Sequence, residues 1–202
     1  MSYGQNHEDE LILKHFKGRI GRFADIGAYS GLELSNTRLL LEAGWTGAMF
    51  EADPFAFVGL WNNTKEFHEQ VDLVLGAVNT ALISSVVDFH VAPSSGVSTT
   101  SESHREKWSG SASFRRIRVG TVDVADAAEI IGNDVQVLSI DVEGESVDVL
   151  RALQVRAHAL RPELVIVEHD GRYEECRRVA DKWDLREMHR NQENLIYVRA
   201  EG

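Results

Sequence analysis

The sequence predicts an α/β protein with a mostly parallel sheet, and three observations carry that prediction. Short apolar runs ending in acids recur along the chain: Phe23-Ala-Asp25, Ala48-Met-Phe-Glu51, Val135-Gln-Val-Leu-Ser-Ile-Asp141 and Leu164-Val-Ile-Val-Glu168. Amphipathic segments separate these runs, which is the alternation of βα units. The chain closes on two extended segments, 185–189 and 194–199, flanking Arg190-Asn-Gln-Glu193. That reads as an antiparallel hairpin, so one strand of the sheet is reversed.

The elements follow in order. Asn6 is positioned to cap a first helix with Asp9 at its third position, and Leu11, Ile12, His15 and Phe16 form its apolar stripe. A strand starts near Arg22. Ser30 and Glu33, three apart before the run Leu34 to Leu41, form a capping-box pattern, so a helix is expected from about Gly31. Gly44 ends it as a left-handed cap, and the next strand runs to Glu51. Asp53-Pro54 is a cap followed by proline at the first helical position, with a helix expected to about His68. Strands are expected over 71–78, 86–91 and 117–122, helices over 123–131, 145–153 and 173–183, and buried strands over 135–140 and 164–167.

The 202 residues, 43% of them hydrophobic, suit one globular domain spanning 1–202 with an N-terminal helix within residues 1–20. Residues 93–113 are rich in Ser, Thr and Gly and read as a substrate-side flap. The net charge of −11 argues against a nucleic-acid partner, because such proteins concentrate Lys and Arg on one face. Arg115, Arg116 and Arg118 are the exception and read as a solvated edge. The single Cys176 suits a reducing cytoplasm. The N-terminus carries no secretory pattern, and no apolar run approaches the roughly 18 residues of a membrane span, so a soluble cytoplasmic protein without a membrane partner is expected. Nothing in the sequence fixes the oligomeric state.

The turn Asp25-Ile-Gly27-Ala-Tyr29-Ser-Gly31 brings backbone close to a ligand, since glycine has no Cβ and tolerates positive φ. Glu51 lies about twenty residues beyond, where a carboxylate binds ribose hydroxyls. A dinucleotide site needs a middle glycine for pyrophosphate, whereas alanine stands at 28 and an acid at 25. A carboxylate beside the seat repels pyrophosphate and suits a ligand with an ammonium or sulfonium group, as in S-adenosylmethionine.

Asp25, Glu51, Asp141, Glu143, Glu168, His169 and Asp170 all fall at carboxyl ends of expected strands, the rim where α/β sheets bind ligands. Crowded carboxylates raise one another's pKa, and a cationic ligand or divalent metal relieves this. Asp141, Glu168 and Asp170 offer hard oxygen ligands for Mg²⁺ or Mn²⁺; the alternative is that they cap the following helices. Glu143 and His169 are the candidate bases. Two other functions compete with methyl transfer: a nicotinamide-dependent oxidoreductase, disfavoured by Asp25 and the missing glycine, and a non-catalytic binding module that keeps the cofactor fold.

Across nearly its whole length the chain resembles the FkbM family of S-adenosylmethionine-dependent methyltransferases. The matching pieces are Tyr3-Gly-Gln5 with Glu8-Asp9, Phe23 to Gly31 with Leu34-Ser-Asn-Thr37, Gly44-Trp-Thr-Gly47, Phe50-Glu-Ala-Asp-Pro54, Thr121-Val-Asp123, Leu138-Ser-Ile-Asp-Val-Glu-Gly-Glu145 and Pro162 to Glu168. The resemblance implies a Rossmann-like class I methyltransferase fold, with a mostly parallel seven-stranded sheet and a C-terminal antiparallel hairpin. It also implies O-methylation of a small-molecule or sugar hydroxyl. It places Asp25, Gly27 and Gly31 around the methionine part of the cofactor and Glu51 on the ribose. Ala77 and Val78 would flank the adenine, and Gln5, Ser35 and Asn36 would line the same cleft. Tyr29, Ala52 and Asp141, within the matched motifs, complete the expected cofactor set. Asn6-His7 departs from the family pattern, and the Ser-rich loop is individual to this chain.

Overall fold

The computed structural model describes residues 2–81, 85–92 and 96–199. Its strands are β1 (Arg22–Ile26), β2 (Thr46–Glu51), β3 (Val71–Leu75), β4 (Ala77–Asn79), β5 (Val86–Val91), β6 (Arg115–Asp123), β7 (Val135–Ile140), β8 (Leu164–Glu168), β9 (Leu185–Arg190) and β10 (Asn194–Arg199). Its α-helices are α1 (Glu8–Phe16), α2 (Arg38–Glu42), α3 (Pro54–Asn63), α4 (Glu102–Trp108), α5 (Val124–Ile131), α6 (Ser146–Arg156) and α7 (Tyr173–Lys182).

Seven strands form the main sheet in the order β3-β2-β1-β7-β8-β10-β9. The pairs from β3 to β8 are parallel, and β10 runs antiparallel to both β8 and β9. Successive side chains of a strand point to opposite faces, so the central strands feed two cores. Ala24, Ile26, Phe50, Leu138, Ile140 and Val167 pack towards α5, α6 and α7. Phe23, Met49, Val137 and Ile166 pack with Ile12 and Phe16 of α1 and Leu40 and Leu41 of α2. Strand order reverses between β1 and β7, and the chain ends that emerge there are Gly27 and Asp141. Such a reversal opens a crevice beyond the carboxyl ends of the strands.

Several boundaries differ from the sequence expectation for identifiable reasons. No helix starts at Gly31. Tyr29, Gly31 and Leu34 all have positive φ, at 49°, 64° and 59°, which a right-handed helix forbids. The Glu33 N–H does donate to Ser30 Oγ at 3.1 Å, but that bond closes a turn. The helix α2 begins only at Arg38, whose N–H donates to Ser35 Oγ. Its far end is as expected: Gly44, at φ 88°, and Trp45 donate back to Leu41 and Leu40. Asn6 does not cap α1. The capping position is His7, and Asn6 donates its backbone and side-chain N–H groups to Glu8.

Asp53 and Pro54 start α3 as expected, with Asp53 Oδ1 accepting from Phe55 N–H at 2.8 Å. The helix stops at Asn63 rather than near His68, and a 3-10 turn at Lys65–Phe67 follows. The strand expected over 71–78 divides at Gly76: β3 stays in the main sheet, while β4 joins β6 and β5 in a second, three-stranded sheet. Ala77 and Val78 therefore open β4 instead of ending β3. Arg116 and Arg118 on β6 face Asp88 of β5 across this small sheet at 3.5 and 3.3 Å. Of the expected flap, residues 93–95 lie outside the described residues. The remainder is not an irregular loop, because Ser101 Oγ accepts from His104 N–H and starts α4. Among the described residues, no helix is long and apolar enough to cross a membrane.

Candidate functional site

The crevice at the strand reversal opens into a cavity of about 370 Å³. Its floor is the turn after β1. Gly27 has φ 91°, and a Cβ there would lie 1.7 Å from the Asp141 carbonyl oxygen, so only glycine lets the two strand ends pass. The Gly27 and Ala28 N–H groups both donate to Phe50 O, at 2.9 and 3.0 Å, and the Tyr29 N–H donates to Glu51 Oε2 at 2.7 Å. Three successive amides that would cradle a pyrophosphate in a dinucleotide protein are thus turned towards β2. What faces the cavity is carboxyl.

Asp25 is buried and accepts a hydrogen bond from Thr37 Oγ1 at 2.6 Å. Burial pushes its pKa up to about 6, against the opposing effect of the Thr37 and Ser139 hydroxyls. Glu51 ends β2 and accepts from the N–H groups of Tyr29 and Asp53, both at 2.7 Å, one on each oxygen. Burial still dominates and raises its pKa to about 7. These amides fix the carboxyl plane and leave further lone pairs on both oxygens for hydroxyl donors. Asp25 and Glu51 line the same cavity.

The opposite bank is formed by the ends of β7 and β8. Carboxylate oxygens of Asp141, Glu143 and Glu168 converge within 4.8 Å. Burial, then the charges of Glu168 and Glu143, raise the Asp141 pKa well above the carboxylate range. Glu168 is pushed to about 7 by burial and by the charges of Glu143 and Asp170. Asp141 and Glu168 stand close enough for a shared proton to relieve the crowding. Asp141 Oδ1 has no hydrogen-bond partner within the described residues and lies in a wall of the cavity.

The segment containing α4 roofs the cavity. Ser98 Oγ donates to Asp53 Oδ2 at 2.9 Å on the β2 bank, and Thr99 Oγ1 donates to the Glu143 carbonyl at 2.5 Å on the β7 bank. Lys107 Nζ stands 3.5 Å from Asp170 Oδ1 at the end of β8. His104 and Trp108 line the cavity beside Ser98 and Thr100.

The structure gathers most of the residues singled out by the sequence. Gln5, Asp25, Gly27, Tyr29, Ser35, Asn36, Glu51, Ala52, Ala77, Val78, Asp141, Glu143 and Glu168 all line the cavity. Gly31, His169 and Asp170 do not. At Gly31 a Cβ would meet the Leu60 side chain at 2.5 Å, so this glycine serves the packing of the turn against α3. Asp170, at φ 45°, pairs with Lys107 and is not among the carboxylates that converge with Asp141 and Glu168. The expected metal-ligand trio is therefore not assembled.

His169 is buried with both ring nitrogens engaged. Nδ1 accepts from Gly171 N–H at 2.9 Å, and Nε2 faces the Asn191 carbonyl at 3.3 Å. The ring thus ties the β8 end to the hairpin turn. His169→Leu is expected to cost about 2–4 kcal/mol through two orphaned polar groups, with ligand affinity at the cavity unchanged. Denaturant unfolding and titration calorimetry on the same sample check both halves.

His104, Trp108, Lys107 and Thr37 escaped the sequence reading. A usable signal was present for the first three: Ser101 before a short amphipathic stretch is a capping pattern. Thr37 stood in the matched run Leu34-Ser-Asn-Thr37 without a role, since its role follows from its meeting with Asp25.

A sheet of this order with a carboxyl-lined crevice at its reversal point is a class I methyltransferase fold. Solved structures share it. A methyltransferase FkbM from Methylobacillus flagellatus KT aligns with 89% of this chain at 12% identity and a TM-score of 0.52, and this chain spans 43% of that protein. A methyltransferase from Geobacter sulfurreducens aligns with 99% of this chain at 12% identity and a TM-score of 0.53, over 81% of its own length. At those identities the likeness is one of fold. No curated protein matches the chain. The methyltransferase FkbM domain model matches residues 25–195, and the chain belongs to that family. Membership implies S-adenosylmethionine as the methyl donor. The cavity fits that ligand: hydroxyl acceptors at Glu51, acids at Asp25 and Asp141 for a cationic group, and no inward-facing amide among Gly27, Ala28 and Tyr29 for a diphosphate.

Proposed function

We propose that this protein moves a methyl group from S-adenosylmethionine to a hydroxyl of a small molecule or sugar. The observation that carries the reading is the cavity floor, where the Gly27, Ala28 and Tyr29 amides are bound to β2 while Asp25, Glu51 and Asp141 line the same space. Such a surface disfavours phosphate and favours a ligand with hydroxyl donors at one end and positive charge at the other. In this reading Glu51 accepts the ribose hydroxyls, Asp25 and Asp141 face the methionine portion, and Ala77 and Val78 border the base. Gln5, Ser35 and Asn36 complete the wall near α2.

Methyl transfer to oxygen is an in-line displacement, so the protein aligns the acceptor, excludes water and takes up the acceptor proton. The roof from Ser98 to Trp108 supplies exclusion, since it is tied to both banks of the crevice. No step of this reading uses a metal ion.

Titration calorimetry with S-adenosylhomocysteine is the test. Micromolar binding is expected, with none for NADH. Glu51→Gln is expected to weaken binding by about 10- to 100-fold, the worth of hydrogen bonds to a charged acceptor. Absence of heat at high micromolar S-adenosylhomocysteine would remove the assignment.

A further inference from the structure

We propose that His104, in the roof helix α4, is the base that takes the proton of the acceptor hydroxyl, with Glu143 as the residue that positions it. The inference rests on the methyl-transfer reading above.

Four observations converge on this ring. His104 is 4% exposed, and it is the one histidine among the described residues of the cavity wall. Its Nε2 lies 2.8 Å from Glu143 Oε2, an ion-pair contact whose angle falls outside hydrogen-bond geometry. Neither ring nitrogen makes a hydrogen bond among the described residues, in contrast to His169, whose two nitrogens are both engaged. The ring is admitted by Gly144: a Cβ at that position, where φ is 96°, would lie 2.9 Å from His104 Cβ and 3.2 Å from Nδ1.

Glu143 is itself held by the roof. Its carbonyl accepts the Thr99 hydroxyl, and its backbone sits at φ 51°. A carboxylate beside one imidazole nitrogen favours the proton there and leaves the lone pair on the other, which is the tautomer a base requires. The charged groups that line the same cavity on this bank are Asp141 and Glu143 at the end of β7, Glu145 at the start of α6, Glu168 of β8, and Lys107 on its own helix. Lys107 is committed to Asp170. The surroundings are thus acidic.

The step balances. Nδ1 takes the hydroxyl proton as the oxygen electron pair forms the bond to the methyl carbon, and the carbon–sulfur pair remains on the sulfur of the donor. The proton rests on His104, countered by the Glu143 carboxylate, until it passes to solvent after product leaves.

The experiment has two arms on the full chain saturated with S-adenosylhomocysteine or turning over S-adenosylmethionine. In the first, ¹⁵N-histidine resonances report the tautomer. His104 is expected as the Nε2–H form with a bare Nδ1 at pH 8, gaining a proton on acidification, and Glu143→Gln is expected to shift that tautomer balance. A protonated Nδ1 from pH 6 to 9 would overturn the proposal. The second arm uses methyl glycosides and phenols as probe acceptors. His104→Gln keeps an N–H towards Glu143 and is expected to lower kcat about 100-fold or more, with S-adenosylhomocysteine affinity preserved. His104→Ala is expected to regain rate with added imidazole, which a structural role would not produce. Glu143→Gln moves the acid limb of the kcat/KM profile.

Wild-type turnover by His104→Gln refutes the assignment. Where no probe acceptor is turned over, the tautomer decides alone. Failure of the unaltered chain to bind S-adenosylhomocysteine is the separate result that removes the methyltransferase reading, and His104 as its base with it.

Discussion

Gly27→Ala is expected to lower the thermal midpoint by about 10 °C and to abolish S-adenosylhomocysteine binding. A methyl group at this position would overlap the Asp141 carbonyl oxygen at 1.7 Å and approach Val142 Cγ1 at 3.3 Å. The overlap is with backbone, which cannot rotate aside. Relief requires separating β1 from β7 beyond their paired residues Ile26 and Ile140. Overpacking of this kind costs about 1–3 kcal/mol. The left-handed φ of 91° adds about 1–2 kcal/mol for a residue with a Cβ. In a chain of this length each kcal/mol moves the midpoint by about 2–4 °C. Ligand binding suffers with stability because the same displacement carries Asp141 away from Asp25. Scanning calorimetry and titration with S-adenosylhomocysteine measure the two effects, and a midpoint within about 2 °C of the unaltered chain would contradict the rigidity assigned to this crossing.

The second large effect is a fall in stability as pH rises from 5 to 8 in the absence of ligand. Asp25 and Glu51 have folded pKa values raised from 3.8 to about 6 and from 4.5 to about 7, chiefly by burial. Glu168 at about 7 and Asp141, raised further, act in the same direction. A raised carboxyl means that the folded chain holds more protons than the unfolded chain between the two values. Its stabilising contribution is complete below the unfolded pKa and is lost as pH climbs through the folded one. The expected loss between pH 5 and 8 is on the order of 1–3 kcal/mol per independent group. Carboxylates with lowered values, such as Glu8 and Asp148, act oppositely but titrate below this window.

Urea midpoints at pH 5 and pH 8 provide the measurement. Glu51→Gln is expected to flatten the slope, and saturating S-adenosylmethionine is expected to recover stability at pH 8 by supplying positive charge to these acids. A midpoint that rises steadily to pH 8 would contradict the burial of these carboxyls.

Much of this molecule was legible in its residues. Apolar runs ending in acids identified β1, β2, β7 and β8, because a strand buried on both faces must be apolar and its polar end must lie at the rim. Asp53-Pro54 and Gly44 marked a helix start and a helix end through backbone chemistry that needs no neighbour. The misreadings share a cause. Ser30 and Glu33 carry the spacing of a capping box, yet three residues with positive φ hold the chain in a loop, and that conformation is imposed by packing against Leu60 and by the Tyr29 bond to Glu51. The division of 71–78 at Gly76 likewise depends on which partner each half finds, β2 for one and β6 for the other.

The sequence by itself determined the layered α/β plan, the family, and the set of acids at the strand ends, since these depend on local periodicity and on residue types along single segments. Only the tertiary structure decided which of those acids share a cavity, that Asp170 and His169 stand outside it, and that His104 reaches Glu143. Those facts depend on strand register and on close approaches between distant segments, of Gly27 to the Asp141 backbone and of Gly144 to the His104 side chain. Hydrophobic patterning specifies which face of an element is buried, but it does not encode which side chain from another element will meet it.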